Sequence, residues 1–296
     1  MTTDKPMSTD QPIPHDRPIT GHPPVSTEAP TSEPVLEIAD LSVDFRLDTT
    51  TVHAVRGVSL SLAQGETLAV VGESGSGKTA TALSVLRLNP QPPCVYAGGR
   101  VLFDGRDLLT LPEKELGRIR GQDIAMVFQD PMTSLDPLRR VGAQVAEVLR
   151  HHQGMSRAQA GAAAVEALDE VGIPDPERRF RQYPHELSGG LRQRVMIAAA
   201  LVGRPRVLIA DEPTTALDVT VQRQILDLLV SLQERHGMAV LLITHDLGVV
   251  AETADRVAVM NQGAVVETGD VLDVFDHPAD DYTRRLLAAT PRLELA

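Results

Sequence analysis

One stretch of the sequence decides the fold: TLAVVGESGSGKTATALSVL, from Thr67 to Leu86. It opens with a short apolar run rich in β-branched side chains, which predicts a buried strand over 67–72. A glycine-rich loop follows, and the spacing of apolar residues from 78 to about 88 predicts a helix. Between that strand and that helix, GESGSGKT at Gly72–Thr79 matches the pattern G-x-x-x-x-G-K-[ST]. This order of strand, loop and helix is the context in which the pattern binds phosphate groups.

The chemistry of phosphate binding explains the residue types in this loop. Glycines let the backbone bend so that successive N–H groups point at phosphate oxygens, and the N-terminus of the next helix adds partial positive charge. Lys78 is expected to reach the β- and γ-phosphates, and Thr79 to offer its hydroxyl to Mg²⁺, which prefers oxygen ligands. A glycine-rich turn that binds nothing is the alternative, and the flanking strand and helix argue against it. The loop predicts that a nucleotide binds, but it does not distinguish the ATPase of a transporter from a GTPase, a small-molecule kinase or a DNA-repair ATPase. The predicted nucleotide-binding residues of this loop are Gly72, Glu73, Ser74, Gly75, Ser76, Gly77, Lys78, Thr79 and Ala80.

Composition and charge exclude several classes of protein. A chain of 296 residues with 42% hydrophobic side chains can bury a sizeable core, which predicts one large domain or one domain with a small appendage. The net charge of -12 argues against a nucleic-acid-binding surface. Because Cys94 is the only cysteine, an intramolecular disulfide is excluded and a reducing compartment is expected. No apolar run reaches about 18 residues, so we expect any link to a membrane to come through a partner.

Beyond the loop, helix and strand patterns alternate, which predicts a parallel sheet flanked by helices. The stretch 1–34 is rich in Pro and Thr and poor in large apolar residues, so we expect a disordered tail there. The folded domain is expected over 35–291, with 292–296 as a C-terminal tail. The predicted helices are 191–202, 219–236 and 247–254; the predicted parallel strands are 207–210 and 239–243; and 35–45, 55–62, 257–260 and 264–268 are predicted as antiparallel additions.

Two carboxylates, Asp211 and Glu212, follow the apolar run Val207–Ala210. Because α/β proteins bind ligands at the C-terminal edge of their sheets, this pair is expected near the phosphate loop. We expect Asp211 to hold Mg²⁺ and Glu212 to face the attacking water. A solvated acidic pair after a strand is the alternative for these residues taken alone. The phosphate loop in the same chain favours the catalytic interpretation.

A third motif, LSGG at Leu187–Gly190 in the stretch YPHELSGGLRQR, resembles the signature of ABC ATPases. It precedes a predicted helix, whose first N–H groups are suited to binding an anion. The motif lies between the phosphate loop and the acidic strand, and Thr215–Asp218 and then His245 follow. Five motifs in this order make the resemblance specific, and it runs from about Leu36 to Pro291. It implies the ABC type of P-loop NTPase fold, an α/β protein with an antiparallel β subdomain and, at about 130–195, a helical subdomain that carries the signature.

The resemblance assigns roles to single residues that would otherwise be ordinary polar side chains. Gln129, in VFQDPMTSLDP, corresponds to the Q-loop glutamine, and Asp218 to the D-loop aspartate. His245, in LLITHD, corresponds to the switch histidine, which contacts the γ-phosphate. The catalytic residues implied are Lys78, Glu212 and His245, and the implied metal ligands are Thr79, Gln129 and Asp211.

In this family two ATPase domains close head to tail, so the resemblance implies a dimer. Each signature, here Ser188, Gly189 and Gly190, would face the γ-phosphate of the ATP that the other subunit holds. Phe45 ends the first predicted strand and is the candidate for stacking on adenine, while burial in the core is an equal alternative. The implied cofactors are ATP and Mg²⁺.

Three stretches are similar to the peptide and nickel branch of ABC importers: IAMVFQDPMTSLDP, QYPHELSGGLRQRVMIA and HDLGVVAETADRVAVMNQGAVVETG. This similarity implies an ATPase at the cytoplasmic face of the inner membrane that drives import of di- or oligopeptides. Its expected partners are two permease subunits docking over 111–147, a second ATPase, and indirectly an extracytoplasmic binding protein, with no nucleic acid. A nickel or metal-chelate importer ATPase and a soluble, non-transport ABC ATPase are the alternatives.

Two features depart from this branch. Leu191 stands where the family often carries Gln, and we expect no loss of activity from it. Members also often continue beyond DYTRRLLAATPRL into an extension with a cysteine cluster, which this sequence lacks, so the subunit type stays open.

Other classes of nucleotide-binding protein fit the sequence less well. A DNA-repair ATPase would need sustained heptads within 80–186, and none occur. A GTPase would show Asn-Lys-x-Asp, but Asn89 and Asn261 precede Pro and Gln.

Overall fold

The structure, a computed structural model, describes residues 33–130, 134–215 and 217–289. The predicted tails lie outside these residues except for Glu33 and Pro34, and Pro34 already belongs to the first strand. The strands are β1 (Pro34–Arg46), β2 (Thr51–Ala63), β3 (Thr67–Val71), β4 (Cys94–Phe103), β5 (Arg106–Asp107), β6 (Ile124–Val127), β7 (Val207–Asp211), β8 (Ala239–Ile243), β9 (Arg256–Asn261) and β10 (Ala264–Asp270). The helices are α1 (Lys78–Val85), α2 (Glu113–Ile119), α3 (Val141–His152), α4 (Arg157–Glu170), α5 (Pro176–Phe180), α6 (Gly189–Leu201), α7 (Val219–His236), α8 (Leu247–Thr253), α9 (Val271–Asp276) and α10 (Asp281–Ala289), with a 3-10 turn at Pro184–Glu186.

Two sheets form the framework of the described chain. The first is antiparallel, with the strand order β2-β1-β4-β5, and the second has the order β10-β9-β3-β8-β7-β6. In the second sheet the pairs from β9 to β6 are parallel, and β10 is antiparallel to β9. Every residue of β3, β7 and β8 is buried, as expected for parallel strands that are covered on both faces. The predicted fold class is confirmed.

The structure corrects one strand prediction. Both 257–260 and 264–268 are predicted as antiparallel additions, but β9 pairs in parallel with β3 and belongs to the parallel sheet. Gln262 and Gly263 have φ angles of 47° and 84°, as in a two-residue hairpin turn, and this turn carries the antiparallel signal in the sequence. The chain reaches β9 from β8 through α8, so a helical crossover returns it to the parallel sheet.

Helices α3, α4 and α6 pack with one face of β6, β7 and β8 in a shared core cluster. The buried face of α4 consists largely of Ala160, Ala164 and Ala167, small side chains that let neighbouring helices approach closely. Helix α6 begins directly after Ser188, so the signature motif stands at the N-terminus of this helix. The boundary of the helical subdomain at about 130–195 stays a prediction, and these helices span 141–201.

Strand β3 separates two further clusters, because alternate side chains of a strand point to opposite faces. Leu68 and Val70 pack in a cluster with the antiparallel sheet. Ala69 and Val71 pack on the other side with residues of α8, α9 and α10, including Tyr282. The C-terminal helices therefore cover the strand that leads into the glycine-rich loop.

Candidate nucleotide-binding site

Two different structural reasons explain why glycines occupy the loop between β3 and α1. Gly72, Gly75 and Gly77 all have left-handed φ angles, of 149°, 79° and 102°. A Cβ on Gly72 would lie 2.1 Å from the carbonyl oxygen of Met260, and one on Gly77 would lie 2.4 Å from that of Ala54. Around a Cβ on Gly75 there is open space within 4 Å. Two glycines thus let neighbouring strands approach the loop, and the third leaves its face open for a phosphate.

Lys78 is a buried cation at the start of α1. Its Nζ donates hydrogen bonds to the carbonyl oxygens of Gly72 at 2.7 Å and Glu73 at 3.0 Å. Burial lowers the pKa of Lys78, and the charges of Glu212 and Asp211 oppose this effect. The ammonium group is thus held beneath the loop, with two carboxylates near enough to favour its charged form.

Asp211 ends β7 as a buried carboxylate. It accepts a hydrogen bond from the hydroxyl of Thr79 at 3.2 Å. Burial raises the pKa of Asp211, while the bond from Thr79 and the charge of Lys78 lower it. A carboxylate and a hydroxyl side by side are oxygen ligands of the kind that Mg²⁺ prefers. The structure therefore brings together two of the three predicted metal ligands, next to the predicted phosphate loop.

Glu212 lies at the centre of a set of polar side chains. Its carboxylate accepts hydrogen bonds from Gln129 Nε2 at 2.9 Å and Thr215 Oγ1 at 2.8 Å, and Nδ1 of His245 lies 3.3 Å from Oε1. Its backbone has a φ of 46°, which is strained for a residue with a side chain, and its N–H donates to Ile243 on β8. Three predicted site residues are thus in contact, although they lie far apart in the sequence.

Two residues of this set need separate comment. Gln129 donates to Glu212 through Nε2, whereas its amide oxygen is the atom that would bind a metal, so its role as a metal ligand stays a prediction. Sequence reasoning assigned no role to Thr215, although it opens the stretch that contains the D-loop aspartate. Its position three residues after Glu212 was the available signal, because a turn that begins at Glu212 brings the two side chains together.

The signature residues pack against the beginning of α7 in the same chain. Ser188 caps α6, and its hydroxyl accepts a bond from the N–H of Leu191 at 3.4 Å. A Cβ on Gly190 would lie 2.8 Å from Val221, so a side chain there would displace its neighbour, whereas one on Gly189 would make an ordinary contact with Leu217 at 3.7 Å. None of the described contacts joins the signature to the phosphate loop of its own chain.

The remaining predicted site residues lie at the edges of this region. Asp218 caps α7, where its carboxylate accepts a bond from the N–H of Val221 at 2.9 Å. Phe45 is half-buried near the end of β1, where it pairs with Val52 and Cys94 and packs against the core. Its partial burial leaves both interpretations of Phe45 open, adenine stacking and core packing.

The parallel sheet, the glycine-rich loop and the buried Lys78 and Asp211 define a phosphate-loop nucleoside triphosphatase. Among the described residues, no helix combines the length and apolar character needed to cross a membrane.

Comparisons with known proteins identify the family. Residues 55–215 match the ABC transporter family model. The chain is 54% identical over 260 residues to the oligopeptide transport ATP-binding protein OppD of Bacillus subtilis, an alignment that covers 88% of this chain and 73% of OppD. It is 52% identical over 263 residues to the dipeptide transport ATP-binding protein DppD of the same organism, covering 89% and 78% of the two chains. The chain belongs to the ABC transporter family of ATPases, which bind and hydrolyse ATP.

Two further comparisons extend this result. The peptidoglycan transport ATP-binding protein YejF of Agrobacterium fabrum is 56% identical over 263 residues, and the chain spans 48% of YejF. The ATP-binding cassette MJ0796, in a dimeric post-hydrolysis state with ADP and Pi, superposes with a TM-score of 0.71 at 29% identity, covering 80% of this chain and 98% of MJ0796. The cbiO1 protein of Clostridium perfringens, part of the ABC transporter complex cbiONQ, gives a TM-score of 0.70 at 29% identity, covering 83% and 92%.

Proposed function

We propose that this chain is the ATP-hydrolysing subunit of an importer for di- or oligopeptides. One observation carries the catalytic part: the carboxylate of Glu212 is held by Gln129, Thr215 and His245 in the site that also contains Lys78. The cargo rests on relatives such as OppD and DppD, whose names place them in oligopeptide and dipeptide transport.

The loop binds the triphosphate of ATP in this proposal. The ammonium group of Lys78 has three donors, so it keeps its bond to the carbonyl oxygen of Gly72 and turns its other donors to the β- and γ-phosphate oxygens. Thr79 and Asp211, with Gln129 as the third predicted ligand, would hold Mg²⁺. The metal, when bound, neutralises charge on the phosphates.

Glu212 acts on the attacking water. Water attacks the γ-phosphorus, the bond from the γ-phosphorus to the β–γ bridging oxygen breaks, and Glu212 accepts a proton from the water. Donors from Gln129 and Thr215 fix the orientation of the carboxylate. His245, with its side chain 65% exposed, contacts the γ-phosphate and stabilises its developing charge.

The signature completes a second site across a dimer. Ser188 and Gly190 lie at the N-terminus of α6, where backbone N–H groups and the helix dipole favour an anion. In the proposed head-to-tail dimer this anion is the γ-phosphate held by the other subunit, and Asp218 lies at the same interface. The related cassette MJ0796 is a dimer. Binding of ATP then closes the dimer, and hydrolysis releases it.

The permease subunits dock on an apolar groove beside β6. The groove is lined by side chains that include Met126, Phe128, Leu135 and Met196, and it falls mostly within the predicted docking region 111–147. Leu138, in the same region, is 85% exposed. Apolar surface of this kind marks a site of protein contact. The proposal thus places the chain at the cytoplasmic face of the membrane, bound through these partners.

Transport by the intact complex tests the proposed function. The tagged chain is purified from its native membranes together with its partners, the complex is reconstituted in liposomes, and ATP-dependent uptake is measured with labelled dipeptides, oligopeptides and a nickel chelate. Peptide uptake that disappears in a Glu212→Gln complex supports the proposal. Uptake of the nickel chelate alone would favour the alternative cargo, and recovery of the chain without any permease would contradict a transport role.

A further inference from the structure

We propose that Tyr282, on the C-terminal helix α10, is a positioning residue for the phosphate loop. Its hydroxyl accepts a hydrogen bond from the backbone N–H of Glu73, at 3.1 Å, across 209 positions of sequence. The inference rests on the proposed nucleotide site, because it concerns the shape of that loop. It gives α10 a role in ATP binding.

Tyr282 and Lys78 form hydrogen bonds with opposite sides of the same peptide group. The peptide between Gly72 and Glu73 is planar, and its C=O and N–H point in opposite directions. Its carbonyl accepts a bond from Lys78 Nζ at 2.7 Å, and its N–H donates to Tyr282. Because Gly72 has no side chain to restrict rotation, these two bonds set the orientation of the peptide group.

The hydroxyl of Tyr282 is itself held on a rigid support. The ring is 7% exposed and packs in the cluster that contains Val71, the last residue of β3. The backbone N–H of Tyr282 donates to the side chain of Asp280 at 2.7 Å. The carboxylate of Glu267, on β10 and only 8% exposed, accepts bonds from the N–H groups of Ala279 at 2.7 Å and Asp280 at 3.1 Å. A chain of contacts therefore runs from β10 through the start of α10 to the loop.

Removal of the hydroxyl should affect binding rather than chemistry. Without Tyr282 Oη the N–H of Glu73 loses its acceptor, and the peptide that orients Lys78 is free to turn. Lys78 contacts the β- and γ-phosphates in the proposed mechanism, so the affinity for both ATP and ADP falls. The groups around Glu212 make no described contact with Tyr282, so the rate of hydrolysis at saturating ATP is retained.

Tyr282→Phe tests this role, because it removes one oxygen and keeps the buried ring. Loss of one hydrogen bond predicts an increase of about fivefold in the Kd for a fluorescent ATP analogue and in the KM for ATP, with kcat within about twofold. Thr283→Val is the matched control. Thr283 is the next residue of the same helix, and its buried hydroxyl has no partner among the described residues, so its removal should leave Kd and KM unchanged.

The outcomes separate this role from the nucleotide site itself. Unchanged Kd and KM in Tyr282→Phe would overturn the inference, as would equal increases in Tyr282→Phe and Thr283→Val, which would show an effect of helix packing. Lys78→Ala is the reference: normal binding in that variant would instead remove the proposed phosphate site. If Tyr282→Phe fails to fold, Glu267→Gln is the second variant, because it weakens the hydrogen bonds that position the start of α10. It is expected to raise the Kd for the ATP analogue. An unchanged Kd in this variant would overturn the inference.

Discussion

Replacement of Glu212 by Gln separates its chemical role from its structural one. The carboxylate accepts bonds from Gln129 and Thr215 on Oε2, and Oε1 faces Nδ1 of His245. An amide oxygen can keep the first two bonds, while its NH₂ group can donate to a neutral His245. We therefore expect Glu212→Gln to lower the free energy of unfolding by no more than about 1–2 kcal/mol, because few bonds are lost.

The effect on turnover should be much larger. An amide cannot accept a proton from water at neutral pH, and a positioned general base contributes about a hundredfold to ten-thousandfold to the rate. We expect kcat for phosphate release to fall by about that factor, while ATP affinity stays within about threefold of the wild-type value because Lys78 and Thr79 are untouched. ATP binding should still close the dimer, and the closed dimer should now persist.

Two assays and one control check this prediction. Phosphate release under saturating ATP measures turnover, and size-exclusion chromatography with and without ATP measures the dimer. Glu170→Gln makes the same chemical change at a carboxylate that contacts Arg235 and His236 instead, so its turnover should match the wild type. A kcat for Glu212→Gln within about tenfold of wild type, in a protein of normal stability, would refute the role of this residue as general base.

Three further variants test the loop. Lys78→Ala removes a charged donor to the phosphates and should weaken binding of a fluorescent ATP analogue by about 10- to 100-fold, whereas normal affinity would contradict the phosphate cradle. Gly72→Ala places a Cβ 2.1 Å from the backbone carbonyl oxygen of Met260 and should lower the melting temperature strongly. Gly75→Ala meets open space, so it should cost only the about 1–2 kcal/mol of a left-handed backbone. Equal losses of melting temperature in the two variants would show that the contact with Met260 is unimportant. Thr79→Val removes the hydroxyl beside the buried carboxylate and should raise the Mg²⁺ concentration needed for half-maximal turnover, and an unchanged Mg²⁺ dependence would exclude Thr79 as a ligand.

Periodicity in the sequence predicted much of the fold because the buried strands are short and uniformly apolar. Helix α7 and strand β8 have the predicted bounds, Val219–His236 and Ala239–Ile243. The prediction was wrong for the pairing of β9, since the hairpin turn is local in sequence whereas the parallel pairing with β3 joins residues nearly 190 positions apart. Patterns within a window of the sequence carry no information about such partners.

The sheet order explains why the separate motifs form one site. Strands β3, β8, β7 and β6 lie side by side and run parallel, so the loops after them emerge at one edge. The phosphate loop follows β3, His245 follows β8, Glu212 follows β7 and Gln129 follows β6. Sequence alone places each residue at the end of a strand, and the adjacency of the strands then forces the four segments into contact.

The same reasoning shows where sequence patterns fail. Thr215 follows β7 only after a turn that begins at Glu212, and Tyr282 lies on α10, so neither stands directly at the end of a strand. A tyrosine in a C-terminal amphipathic helix is predicted from the sequence to be an ordinary core residue. The ring of Tyr282 fits this prediction, because it packs against β3. Only its hydroxyl extends to the N–H of Glu73. A contact made by a single atom of a buried side chain leaves no periodic signal, so the link between α10 and the phosphate loop required the structure.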